Sequence, residues 1–197
     1  MKRSTTALAL IMATATPALA DKAAVIDTYS DIAHAGYEDS LIKAQQLSDA
    51  VTALIDAPSA ETLAAAKTAW LEARVPYQQT ETFRFGNPIV DDWEGKVNAW
   101  PLDEGLIDYV DDSYGGPTDA NAYAGLNVIA NETFTLSGEE VDASEITPAL
   151  LEETLHEADA VEANVATGYH AIEFLLWGQD LNGTEHGAGN RPWTDYA

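Results

Sequence analysis

Residues 21–56 read DKAAVIDTYSDIAHAGYEDSLIKAQQLSDAVTALID, and their periodicity sets the fold class. Val25, Tyr29, Ile32, Ala33, Tyr37, Leu41, Ala44, Leu47, Val51, Leu54 and Ile55 step by three and four, the spacing of one face of a long amphipathic helix. Pro58 breaks the run, and Ser59 is placed to cap a second helix through Leu63, Ala66, Ala69, Trp70 and Ala73. Pro76 is set to kink or end that helix, although Tyr77 to Phe83 keeps a helical pattern. Two long helices joined by a short break pack antiparallel.

Outward from this hairpin the pattern changes. Gly86 to Gly116 holds prolines, glycines and a dense acidic series from Asp91 to Asp112, with Trp93 and Trp100 interleaved. A long irregular segment in a helical domain is more often functional or interface-forming than filler. Short helical turns are expected around Leu106 to Val110, and a further short helix over Asp119 to Ala130. Thr147-Pro148 marks a helix start, with the pattern Leu150, Leu151, Leu155, Ala158, Val161, Val165 running on, unbroken or kinked, toward residue 170. The sum is an all-α, up-and-down helical bundle interrupted by a long irregular acidic segment.

Ahead of the first helix, Lys2 and Arg3, the apolar stretch Ala7 to Ala15 and the small-residue pattern Ala18-Leu19-Ala20 read as a secretory signal cleaved after Ala20. The expected domains are therefore a signal peptide at 1–20 and one helical domain at 21–197, exported to the periplasm or cell envelope. No segment approaches the ~20 apolar residues of a membrane span. The chain has no cysteine, which removes disulfides, thiolate ligands and a cysteine nucleophile together. With 46% hydrophobic residues, one sizeable core is within reach.

The charge balance is 9 basic against 33 acidic residues, a formal −24. Such a field repels nucleic acid and anionic membrane and attracts cations, metal ions and basic peptides among them, without defining a site.

The chemistry concentrates in Gly168-Tyr169-His170-Ala171-Ile172-Glu173-Phe174-Leu175-Leu176-Trp177-Gly178-Gln179-Asp180. His170 and Glu173 stand three apart in an apolar, aromatic helix, so imidazole and carboxylate converge on one face. Left unpaired in such surroundings they would cost several kcal/mol, so each needs a partner, a metal ion or an ordinary hydrogen bond. The zinc-protease pattern H-E-x-x-H fails at Ala160 after His156-Glu157, and the inverted H-x-x-E-H fails at Phe174. No phosphate loop or nucleophile elbow is present. Arg84, between Phe83 and Phe85, is suited either to a structural ion pair with a carboxylate of Asp91 to Asp112 or to orienting an anionic ligand group.

With the G-x-H-x-x-E run, Arg84-Phe85-Gly86 and Val97-Asn98-Ala99-Trp100-Pro101-Leu102-Asp103-Glu104 in hand, the chain resembles the imelysin family of bacterial cell-envelope proteins. That family includes iron-regulated proteins and proteins described as insulin-cleaving metallopeptidases. The resemblance covers most of residues 21–197 and matches the N-terminal half of members that are usually twice as long, so the expectation is either a fragment of such a protein or a member whose second domain is absent. It implies helical-bundle architecture and a site at Gly168, His170 and Glu173, with Arg84, Trp100, Asp103 and Glu104 in secondary motifs. Asp103 and Glu104 are the candidates to complete a nitrogen and oxygen set for iron or zinc. Three functions follow as expectations: an exported metal-linked binding protein, an envelope metallopeptidase acting on a peptide with the same pair, or a metal-free scaffold for an envelope protein partner.

Overall fold

A computed structural model describes residues 21–197; the expected signal segment, residues 1–20, lies outside them. The molecule is mostly helical. Helix α1 spans Lys22–Asp56 and opens on Asp21, whose carboxylate accepts the Ala23 N–H. Helix α2 spans Ala60–Gln79 behind a capping box formed by Ser59 and Thr62. The two run antiparallel, as Lys43–Glu72 (2.7 Å) and the edge-on Tyr29–Phe83 contact (5.3 Å) show. Pro76 does not end α2: it falls in the last turn, and a 3-10 turn at Thr80–Phe83 carries the chain on.

Helix α1 is 35 residues long and α2 only 20, or about 52 Å against 30 Å at the α-helical rise. The expected apolar face of α1 is therefore covered only toward its C-terminal end. Leu47 and Leu54 are buried, whereas Val25, Tyr29 and Ile32 are exposed where α2 has run out.

The acidic middle holds more order than the sequence reading gives it. Helix α3, Pro88–Val97, starts on a proline at its first turn, and the short α4 covers Glu104–Ile107. The helix expected over Asp119–Ala130 is absent. The N–H groups of Asn127, Val128 and Ile129 instead donate to the carbonyls of Gly105, Leu106 and Ile107, so they serve the end of α4. A two-stranded antiparallel hairpin follows, β1 (Thr133–Leu136) with β2 (Glu139–Asp142), where the sequence reading has no strand.

The helix begun at Pro148 amounts to one π-type turn, Leu150–Leu155, and does not reach residue 170. Glu157, Asp159 and Ala160 take left-handed backbone angles, and the fully buried Asn164 side chain donates to the Ala158 carbonyl, locking the break. Helix α5, Gly168–Trp177, is thus a separate element.

Helix α5 lies between two parts of the core. Tyr169 and Leu176 pack on α1 and α2 beside Trp70, Ala73 and Tyr77. Ala171 and Phe174 pack against Leu102, Ile107 and Val165. His170 and Glu173 are left on the strip between the two.

Candidate functional site

The first turn of α5 is fixed by three local contacts. Gly168 has φ +86°, and a Cβ there would stand 2.5 Å from the Val97 carbonyl oxygen, so only glycine lets α5 start against the end of α3. Thr167 donates its hydroxyl to the Lys96 carbonyl at 2.8 Å. The Trp70 indole N–H donates to the Tyr169 carbonyl at 2.9 Å, across a buried contact from α2. Trp70→Phe, which deletes that donor and part of a buried ring while the Tyr169 carbonyl keeps its helical partner, is expected to cost about 1–2 kcal/mol. Urea unfolding checks this; an unchanged midpoint would count against it.

In that frame His170 Nδ1 and Glu173 Oε2 meet at 2.9 Å. An Nδ1–H donating to the carboxylate fixes the tautomer and leaves Nε2 with a free lone pair. The Trp100 ring stands edge-on to the imidazole at 5.0 Å and is itself 66% exposed. Both side chains of the motif line a cavity of about 750 Å³ walled by Trp70, Trp100, Trp177 and Phe174.

Glu104 and Asp180 line the same cavity. Burial pushes the Glu104 carboxyl above its usual range, and the negative charges of Asp180 and Glu173 push it further. Asp180 is held by residues that follow α5: its Oδ1 accepts the Asn182 backbone N–H at 2.8 Å and the Asn182 amide at 2.6 Å. That amide also donates to the Ala188 carbonyl at 3.1 Å, drawing the glycine-rich stretch together. Gly189 presses on the Trp177 and Gly178 carbonyls, where no Cβ fits.

Of the residues singled out from sequence, Gly168, His170, Glu173, Glu104 and Trp100 are thus brought together. Asp103 and Arg84 are not. Asp103 accepts hydrogen bonds from the Tyr114 hydroxyl (3.2 Å) and the Asn121 amide, and so ties α4 to the buried Asn121–Asn164 pair. Adjacent residues at the start of α4 project to different sides, which puts Glu104 in the cavity and Asp103 outside it. Arg84 is committed to carboxylates: Nε to Asp91 at 3.0 Å, Nη1 to Glu81 and Glu94 at 3.2 Å each. It has the ion-pair role of the two that its sequence setting left open.

The residue missed from sequence is Asp180. Its signal is the Asp-Leu-Asn-Gly turn directly after the motif helix, a pattern in which an aspartate bonds the backbone two residues on. Among the described residues, no three His, Asp or Glu groups are gathered closely enough to hold a metal ion by themselves. None of their helices is long and apolar enough to cross a membrane.

The imelysin family model matches residues 33–197. Iron-regulated protein A of Synechococcus elongatus is 40% identical over 60 residues, a stretch that is 30% of this chain and 17% of that protein. The match thus takes in less than a fifth of that relative's length.

Proposed function

The chain belongs to the imelysin family, and on that footing we propose that it is an exported, metal-linked binding protein of the cell envelope, with iron the leading candidate. The observation that carries the reading is the His170–Glu173 pair, 2.9 Å apart, on the wall of a cavity that Glu104 and Asp180 also line. An imidazole with carboxylates is a donor set suited to iron or zinc. A ligating histidine commonly donates its other ring N–H to a carboxylate, and Glu173 is placed for that task. The reading therefore makes His170 the nitrogen ligand through Nε2 and Glu173 the group that orients it. Glu104 and Asp180 supply oxygens. Burial chiefly, and then the charges of Asp180 and Glu173, raise the Glu104 carboxyl, and a cation between them would offset the second of these.

The donor types fit iron or zinc; among the described residues no three such groups already stand at metal-ligand spacing, so binding requires Glu104 and Asp180 to close on the ion with His170. Iron enters the proposal because the family match is joined by a relative whose name is Iron-regulated protein A.

Calorimetric titration of the full chain with ferrous iron under anaerobic conditions, and with zinc, tests the reading. His170→Ala and Glu104→Gln are each expected to weaken binding at least about tenfold, or 1.4 kcal/mol. Equal affinity in wild type and His170→Ala would sink the proposal.

A further inference from the structure

We infer that the cavity takes its metal as a small, positively charged 1:1 complex with a planar aromatic chelator, His170 filling an open coordination position while the tryptophans hold the organic part. The inference rests on the metal-binding reading of the same cavity and names the class of ligand.

Size is the first reason. The cavity measures about 750 Å³. An ion with six waters fills only ~180 Å³ at ~30 Å³ per water. Pockets for small organic ligands run from ~300 to 1,000 Å³, and this one falls among them.

The walls are the second. Trp100 and Trp177 line the cavity with Trp70 and Phe174, which are themselves almost wholly buried, and Trp100 meets the imidazole. A hydrated ion gains little from an indole face, whereas a planar ring system buries area against it and stacks in the offset or edge-on arrangements that aromatic quadrupoles favour. Trp100 is largely open to solvent while its edge meets His170 at 5.0 Å, so an aromatic surface stands ready beside the ligating nitrogen.

Donor number and charge complete the argument. An octahedral ion has about six positions, and His170, Glu104 and Asp180 fill at most three, which leaves the remainder to a chelator. Glu104, Glu173 and Asp180 line the cavity, and among the described residues no lysine or arginine does, although Lys67 Nζ stands 5.4 Å from the centre of the Trp177 ring. Such a lining repels anionic complexes and admits cationic ones.

The test is calorimetry and tryptophan fluorescence on the full chain with zinc alone, the 1:1 zinc–phenanthroline complex, zinc citrate, and metal-free phenanthroline. The cationic complex is expected to bind at least about tenfold tighter than zinc alone, with zinc citrate and free phenanthroline far weaker. Trp100→Ala is expected to lose about tenfold more affinity for the complex than for zinc alone, and His170→Ala to lose both. Zinc binding through His170 with no gain for the complex would overturn the inference and leave the metal-binding reading standing. Equal binding of free phenanthroline would overturn it too. No binding of zinc or of the complex would remove both.

Discussion

Gly168→Ala is expected to lower the melting temperature by about 6–12 °C, taking about 3 kcal/mol of stability at the ~2–4 °C per kcal/mol typical of a chain this long. Two costs combine. The backbone at this position has φ +86°, a region that costs a residue with a Cβ roughly 1–2 kcal/mol. The new methyl would also stand 2.5 Å from the Val97 carbonyl oxygen and 2.8 Å from that of Lys96. Both neighbours are backbone, so relief requires α5 to move away from α3, and such overpacking typically adds ~1–3 kcal/mol. The same displacement would carry His170 off its place beside Trp100 and loosen the Trp70–Tyr169 bond. Calorimetric melting of wild type and variant decides the point; a shift under about 2 °C would show that α5 can start without glycine. The leading glycine of the G-x-H-x-x-E run is then a packing requirement, set by the approach of two helix ends, and needs no chemical role.

The parts of the fold legible in sequence are those in which local pattern and tertiary packing agree. The α1–α2 hairpin follows from apolar spacing, Pro58 and the Ser59 cap, because each helix makes its own hydrogen bonds and buries its own stripe. Helix α3 was hidden by its charge, although Pro88 at the first turn is a start signal that composition alone obscures. The turns over 119–130 illustrate the opposite failure. Their propensity allows a helix, but their N–H groups are claimed by α4 carbonyls some twenty residues earlier, a long-range demand no local window contains.

The site divides in the same way. His170 and Glu173 are read from i, i+3 spacing, since one helix carries both. Glu104 and Asp103 cannot be ranked from sequence, because which of two neighbours faces the cavity depends on how α4 is rotated by Tyr114 and Asn121. Asp180 joins the cavity only through the fold of the stretch after Trp177.

Asp108→Ala is expected to cost about 3–5 kcal/mol, the range for removing one partner of a buried ion pair. Arg191 is 4% exposed and Asp108 9%, and Nη1 meets Oδ2 at 2.5 Å. The guanidinium lies over the Tyr109 ring at 4.8 Å and the Phe174 ring at 5.4 Å. Its Nε and Nη2 are buried and hydrogen-bond to no protein group among the described residues, so the pair leaves two donors unmatched. Taking away the carboxylate would leave the guanidinium among aromatic rings with Asp195 as its remaining ion-pair partner, 3.6 Å from Nη1 and longer than a hydrogen bond. Replacing both partners by apolar residues of similar bulk, Asp108→Leu with Arg191→Met, is expected to fall within about 1 kcal/mol of wild type, because the desolvation cost of both charges disappears with them. Guanidinium unfolding of the two single variants and the double variant gives the coupling directly. A double variant as unstable as Asp108→Ala would refute this account. The pair also has a bearing on the site. Arg191 donates its backbone N–H to the Trp177 carbonyl at 2.8 Å, so it anchors the far end of the stretch that carries Asp180. Asp108→Ala should therefore weaken zinc binding as well as stability, whereas the apolar double variant, with that anchor still packed, should bind zinc as wild type does.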